Sequence, residues 1–405
     1  MRALCEALDH PERRFRSLHV VGTNGKSSVT AMAASVLGEV GLRTGSCLSP
    51  HVWRWSERIR IGGEEIAPAP FAAAIERVAA AIPAVEAGLA DSRAGWSDEP
   101  GGSPERVTQF EAAIAASFVA LADAGVDIAV VEAGLGGRLD ATNVIPSEAT
   151  ALTSVALDHV EWLGGSELEI ATEKLAVLRP GTTLVLGDVS EAVAELARRT
   201  ASEGGARVIQ PVPSDDLPPA QAPYLARNAA VALTLAETVS GPIAADRARS
   251  GLAGAALPGR AELIPGDPPM LADAAHNEEG AQALAEALPG LARGRPVIAC
   301  LSVLDDKDRA AIATALAPAV ELVVCTAAEP GPAMGRPGAR AADPGELART
   351  FAAAGVDSEA ISDPATAIDH ARAIARRRAG VALCAGSHYL LRYAWTVKRA
   401  QSSSR

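Results

Sequence analysis

Apolar residues along the chain fall into short unbroken runs, each closed by a polar or glycine-rich corner. LHVV at 18–21 runs into GTNGKSS and then into an alanine- and valine-rich stretch, so 18–41 predicts strand, turn and helix. DIAVVEAGLGG (127–137) predicts a second buried strand ending in a glycine-rich turn, ATALTSVAL (149–157) a third and TLVLG (183–187) a fourth. Alanine-rich stretches between them, such as Glu111 to Ala124, predict helices. Continuous apolar strands suit burial on both faces, and their alternation with helices predicts an α/β fold around a mostly parallel sheet. Segments 86–105 and 211–223, the latter with five prolines, predict loops. The alternation restarts after LPGRAELIPGDPPM (257–270), where MLADAAHN, RPVIACLSVL, ELVVCTA and GVALCAGS each predict a strand, with 329–345 as a loop. Two domains are therefore expected, 1–256 and a smaller Rossmann-like α/β domain at 257–405.

Ligands of open parallel sheets bind at the carboxyl ends of the strands. The polar motifs sit there, after 18–21, 127–132, 152–157 and 270–273, which points to one composite site. Composition narrows the function classes. The 405 residues allow roughly two to three domains of about 150 residues. With 48% hydrophobic and 21% charged residues the chain is not expected to be disordered. A net charge of −12 disfavours generic nucleic-acid binding, and 3% aromatic residues argue against base-stacking platforms. Five scattered cysteines without a CxxC pair exclude a disulfide framework and make a zinc site unexpected; Cys300, Cys325 and Cys384 read as buried apolar thiols. The N-terminus lacks signal-peptide character and no run spans a membrane, so a cytoplasmic protein is expected.

Several motifs carry chemistry. In GTNGKSS (22–28), glycines permit a tight turn whose backbone N–H groups can face phosphate oxygens, and the following helix adds partial positive charge. Lys26 supplies a full charge and Ser27 or Ser28 a hydroxyl for a metal or phosphate, although the general P-loop glycine is Val20 here. Glu132 ends a buried strand, where a carboxylate is costly unless paired or metal-bound, and Mg²⁺ prefers such oxygens. His159 follows the Thr153–Ser154 strand end, and Lys174 lies on the next helix. Arg260 in PGR can clamp a phosphate and Asp273 in DAAHN can hold ribose hydroxyls. Each also has a bland reading: an ordinary βα turn, a capping glutamate, a structural histidine, a solvated helix lysine, a surface ion pair.

Taken together, these motifs resemble the Mur ligase superfamily, and within it the folylpolyglutamate synthase/dihydrofolate synthase family. The likeness runs from about His19 to the end, through GTNGKSS, LSPHVWRWSERIRI (48–61), TQFEA (108–112), VVEAGLGGRLDATNV, LDHVEWLG, EKLAVLRPG, LPGR, DAAHN, LDDKD (304–308) and AGSHYL (385–390). It implies a P-loop ATPase domain at 1–256, a C-terminal Mur ligase-like domain at 257–405, and an ATP-dependent acid–amino-acid ligase. Such an enzyme phosphorylates a carboxylate to an acyl phosphate, which the amine of L-glutamate attacks. The acceptor would be dihydropteroate, a tetrahydrofolate, or both. A superfamily ligase with another carboxylate acceptor, or a P-loop nucleotide switch without ligase activity, remain the alternatives.

Carried over residue by residue, the resemblance implies that ATP lies on Thr23, Asn24, Gly25, Lys26, Ser27, Ser28, Asn228, Arg260 and Asp273. Ser49, Glu132 and His159 match Mg²⁺ ligands. Lys26, Lys174 and His276 match catalytic positions, Lys174 as a carbamylated lysine. Thr108, Gln109, Phe110 and Glu111, with Leu139, Asp140 and Ala141, match the pterin side. A monomer with no nucleic-acid or membrane partner is implied. Three positions depart from the family pattern: Ser27 replaces the glycine of GKGS, YLARN (224–228) replaces a His-Gln pair before Asn228, and Ala274 replaces the glycine of DGAHN.

Overall fold

The computed structural model describes residues 1–93, 106–211, 222–329 and 338–402. The chain divides into two compact units, Met1–Pro218 with Asn228–Ala256 and Pro219–Arg227 with Leu257–Arg405. The first unit holds strands β1 (Arg16–Val21), β2 (Thr44–Cys47), β3 (Ile59–Ile61), β4 (Glu64–Glu65), β5 (Ile128–Glu132), β6 (Ala149–Leu152), β7 (Thr183–Leu186) and β8 (Arg207–Ile209). They form one sheet in the order β4-β3-β2-β5-β1-β6-β7-β8. All neighbours are parallel except β2–β3 and β3–β4, which add an antiparallel edge. β1 lies at the centre, and the strand order reverses around it, which is where ligands of such sheets bind.

The second unit holds β9 (Glu262–Ile264), β10 (Met270–Ala272), β11 (Val297–Leu301), β12 (Leu322–Cys325), β13 (Asp357–Ala360) and β14 (Val381–Ala385). Their order is β13-β12-β11-β14-β10-β9, parallel except for the β9 edge. The central strands of both sheets are buried along their length, as the unbroken apolar runs require. Small residues let helices come close. At Gly251, for example, a Cβ would stand 2.6 Å from the backbone of Val36, so helices Lys26–Glu39 and Ala245–Gly254 pack with almost nothing between them. All five cysteines are free and buried, and burial pushes the thiols of Cys47 and Cys325 up to about 11 and about 12.

Two expected elements differ. Residues 86–93, read as loop, belong to a helix, Pro68–Arg93, despite Pro83 inside it. Ala74, Val78 and Val85 of that helix bury in the first unit's core, so a helical apolar stripe outweighs the local breakers. Residues 94–105 of the same expected loop, 212–221 of the second and 330–337 of the third lie outside the described residues. The strand expected over 149–157 stops at Leu152, because Thr153 and Ser154 turn their side chains to another loop, described below. No described helix is long and apolar enough to cross a membrane.

Candidate active site

β1 delivers the chain into Gly22–Gly25, and the helix Lys26–Glu39 begins directly after it. Two glycines are required by space. A Cβ on Gly22 would stand 1.9 Å from Thr153 Oγ1, and one on Gly25 (φ +84°) 2.6 Å from Asn228 Oδ1. Asn228 thus lies against the turn. The loop is stitched to the segment after β6. Thr23 N donates to Ser154 O (2.8 Å), Asn24 N to Ser154 Oγ (3.1 Å), and Thr153 Oγ1 to Asn24 O (2.6 Å). The Thr23 hydroxyl donates to Ala156 O and accepts from Ala156 N. Thr153, Ser154 and Ala156 were not among the expected site residues. Their signal was a Thr-Ser pair at the end of an apolar run, where a strand buried on both faces has no need of hydroxyls.

Charge gathers on this loop. Lys26 Nζ folds back to Gly22 O (3.0 Å) and Thr23 O (2.9 Å), and the buried Lys174 donates its Nζ to the same Gly22 O (2.8 Å). Two ammonium groups at a helix N-terminus make a site for an anion. Glu132, level with Val20 in the sheet and almost fully buried, faces the helix start. Its Oε1 accepts from Ser27 Oγ (2.9 Å) and its Oε2 from Ser49 N (2.9 Å), so Ser27, Ser49 and Glu132 are brought together. Ser27, the departure from the family glycine, is therefore a ligand of the carboxylate. His159 takes a left-handed backbone (φ +51°) before a one-turn helix, and its ring Nε2 lies 3.8 Å from Asp158 Oδ1. No group of three or more His, Cys, Asp or Glu stands together as a metal site among the described residues.

Between Glu132 and the short helix Ala141–Val144 runs the GLGGRLD loop. Gly134 lies under the Phe110 ring, whose Cζ a Cβ would meet at 2.3 Å. Gly137 lies on the backbone of the helix Glu167–Leu175, 2.6 Å from Glu173 O and 2.8 Å from Lys174 O by the same measure. One loop thus joins the expected acceptor residue Phe110 to the expected carbamate residue Lys174. Leu139 is 81% exposed, while Ala141 and Asp140 are buried. Asp140 accepts from Leu135 N, Thr142 N and Thr142 Oγ1. Burial raises its carboxyl above the usual range against the pull of those hydrogen bonds.

Thr108 and Glu111 form a capping box at the start of the helix Gln109–Asp123, and the N-terminal ammonium of Met1 donates to Glu111 Oε1 (2.7 Å). Burial would raise the Glu111 carboxyl, but the ammonium and the Thr108 bonds outweigh it and hold the group low. Gln109 is exposed at the first turn. Of these four residues the structure gives Thr108 and Glu111 a structural task and places Phe110 against the loop.

In the second unit Asp273 follows β10. Its Oδ2 accepts from Tyr224 Oη (2.6 Å) and Ala261 N (2.8 Å), and its Oδ1 from Ala275 N (2.8 Å). The bond to Ala261 fixes the backbone beside Arg260, whose guanidinium donates to Gly259 O. Tyr224 was not expected; it opens the YLARN stretch that departs from the family pattern, and burial followed by the Asp273 carboxylate pushes its phenol well above the usual range. His276 meets Ala274 O through Nδ1 (2.8 Å) and stands 5.6 Å, ring to ring, from His388, the first residue of the helix His388–Ser402.

The chain is similar to known proteins over most of its length. Residues 259–388 match the family model described as the Mur ligase, glutamate ligase domain. The dihydrofolate synthase/folylpolyglutamate synthase of Mycobacterium tuberculosis is 35% identical over 360 residues, covering 80% of this chain and 72% of that protein. The structure of the M. tuberculosis folylpolyglutamate synthase complexed with ADP and AMPPCP superposes with a TM-score of 0.88 at 31% identity, covering 98% of this chain and 94% of that one. The bifunctional folylpolyglutamate synthase/dihydrofolate synthase of Yersinia pestis, complexed with AMPPNP and a Mn ion, gives 0.80 at 29% identity, covering 97% and 91%. With relatives this similar over most of both chains, the protein belongs to the folylpolyglutamate synthase/dihydrofolate synthase family.

Proposed function

We propose that this protein is an ATP-dependent acid–amino-acid ligase that adds L-glutamate to a folate-type carboxylate and releases ADP and phosphate. The observation that carries the reading is the shared junction at Gly22 and Glu132: two lysines on one phosphate-loop carbonyl, and a buried carboxylate bonded to the first turn of the following helix. A carboxylate is a poor electrophile until phosphorylated, so the chain must hold the γ-phosphate near the acceptor and neutralise its charge. Lys26 and the helix N-terminus would do the second, with Thr23 to Ser28 and Asn228 cradling the phosphates. The GLGGRLD loop, with Leu139 exposed and Phe110 above Gly134, suits a flat heterocyclic acceptor. Residues 1–256 would be the ATP-binding domain and 257–405 the C-terminal ligase domain, with Arg260 and Asp273 on the nucleotide and His276 near the phosphates.

A divalent cation fits the residues present. Ser28 Oγ is buried and has no hydrogen-bond partner among the described residues, while Ser27, Ser49 and Glu132 supply hard oxygen atoms beside it in the chain or in space. We assign the cation as Mg²⁺, held by Ser49, Glu132 and His159, with Ser28 as a further oxygen donor; it would supply charge neutralisation for the transferred phosphoryl group. Lys174 would act as its carbamate, a monomeric chain in the cytoplasm being the expected state. The test is phosphate release from Mg-ATP and glutamate with dihydropteroate or tetrahydrofolate, products read by mass. A gain of one glutamate on dihydropteroate establishes dihydrofolate synthesis, and on tetrahydrofolate polyglutamylation. No gain on either, with ATP still bound, defeats the acceptor assignment.

A further inference from the structure

The loop that carries Leu139–Ala141 is anchored at three points. Two are contacts of shape, Gly134 under Phe110 and Gly137 on the backbone of Lys174. The third is a chain of hydrogen bonds into the sheet. Asp140 Oδ1 takes the Thr142 hydroxyl at 2.5 Å and Thr142 N at 2.9 Å, Asp140 Oδ2 takes Leu135 N at 2.9 Å, and Thr142 Oγ1 meets His19 Nε2 at 2.8 Å. His19 and Thr142 have no exposed surface. His19 lies on β1, three residues before the phosphate loop.

A threonine hydroxyl holds one proton. With that proton on the Asp140 carboxylate, Thr142 Oγ1 can only accept from His19, so His19 Nε2 carries the imidazole proton and Nδ1 is bare. His19 Nδ1 is indeed buried with no partner among the described residues. A second proton on this ring is opposed by burial and by the Arg179 guanidinium, which hold its pKa down to about 3. That arginine also grips the far side of the loop, donating to Asn143 O, Asn143 Oδ1 and Ile145 O.

We propose that His19 is a positioning residue for the carboxylate acceptor, acting through Thr142 and Asp140 to set the conformation of the loop Leu135–Ala141. It touches no substrate itself. The inference deepens the proposed function and rests on its assignment of Leu139–Ala141 to the acceptor. Nothing in the chain's resemblance assigns His19 a task.

The experiment compares wild type, His19→Leu, which removes the donor, and His19→Gln, whose amide nitrogen can replace Nε2–H. A tenfold effect corresponds to about 1.4 kcal/mol, within the cost of losing one buried hydrogen-bond donor. His19→Leu should raise KM for whichever folate acceptor the wild type uses about tenfold, with KM for ATP within about twofold, and His19→Gln should recover most of it. Acceptor KM unchanged, or ATP KM rising in step, overturns the proposal. Hydrogen exchange of the Leu135 amide gives an activity-free readout: it should quicken about tenfold in His19→Leu, and equal exchange overturns the bracing. If His19→Leu does not fold, ¹⁵N chemical shifts of the wild-type imidazole and the His19→Gln kinetics decide; an Nδ1–H tautomer sinks the chain of bonds. A wild type that transfers glutamate to neither acceptor defeats the acceptor assignment, while the exchange experiment still judges the brace.

Discussion

The two sheets place polar residues at the same end of their strands but organise them differently. After β1 and β6 the fastening of the loops is shared among several side chains. The phosphate loop is fastened by Thr153, Ser154, Thr23 and two lysines, each with one or two bonds of ordinary length. After β10 one carboxylate gathers a phenol and two backbone amides from three parts of the chain. A distributed fastening tolerates loss of a member, because the others still define the backbone. A concentrated one fails as a unit, since removing the acceptor leaves all its donors unsatisfied at once. In the first region, then, a functional group can be removed at the expense of chemistry alone; in the second, function and local structure go together.

Lys174→Ala draws that contrast most strongly. Ligation should fall by about 10²–10³, the range for losing one preorganised charged group, while the chain still folds. Phosphate release and circular dichroism together check it. Full activity in the variant, with and without bicarbonate, removes the carbamate role. Asp273→Ala is expected to lower stability by about 3 kcal/mol, read from the urea midpoint, because Tyr224 Oη and the amides of Ala261 and Ala275 lose their acceptor. A loss below about 1 kcal/mol would mean that the second region is as distributed as the first.

Acid pH probes the first region in another way. His19 and His51, both in the first unit, have folded-state pKa values lowered to about 3 and about 4, by burial and then by Arg179 and Arg58 respectively. The unfolded chain binds these protons from about pH 6.5 downward while the native state does not. Stability is thus unaffected above that pH and is lost as pH falls towards the folded values, by about 1.4 kcal/mol per unit for each fully shifted histidine. Urea midpoints at pH 7.5 and 5.0 measure it, and His19→Gln should flatten the slope. An unchanged slope would show that His19 is protonated in the fold. Smallest of all, Thr153→Val removes the hydroxyl bonded to Asn24 O and Val21 O and should cost about 1 kcal/mol with ATP affinity nearly kept. Loss of nucleotide binding by isothermal titration would make Thr153 the keystone and end the distributed picture.

Much of the site was legible where chemistry forces residue type. A glycine turn between strand and helix, a lysine inside it and a carboxylate at a buried strand end have few other uses, and the structure brings Lys26, Ser27 and Glu132 to one point. Less was legible where a residue's partner is remote. Thr108 and Glu111 stand in a motif associated with the acceptor, yet their polar atoms cap a helix and bind the N-terminal ammonium 110 residues away. Tyr224 looked only like a departure from the family pattern; its partner Asp273 is 49 positions on. Residues 86–93 read as part of a loop, and the apolar stripe through Val78 and Val85 carries them into a helix.

The sequence by itself determined the class of fold, the family and the motifs at the strand ends, because strand burial and charge at strand ends are written in local order and spacing. Tertiary structure alone decided which of those residues meet. Lys26 and Lys174 share one carbonyl across 148 positions of chain because β1 and the helix Glu167–Leu175 converge there. His19 becomes a brace, not an inert core histidine, only because β1 lies beneath the loop that bears Thr142. Hydrogen bonds and ion pairs depend on distance in space, which the period of a strand or helix constrains within an element and leaves open between elements.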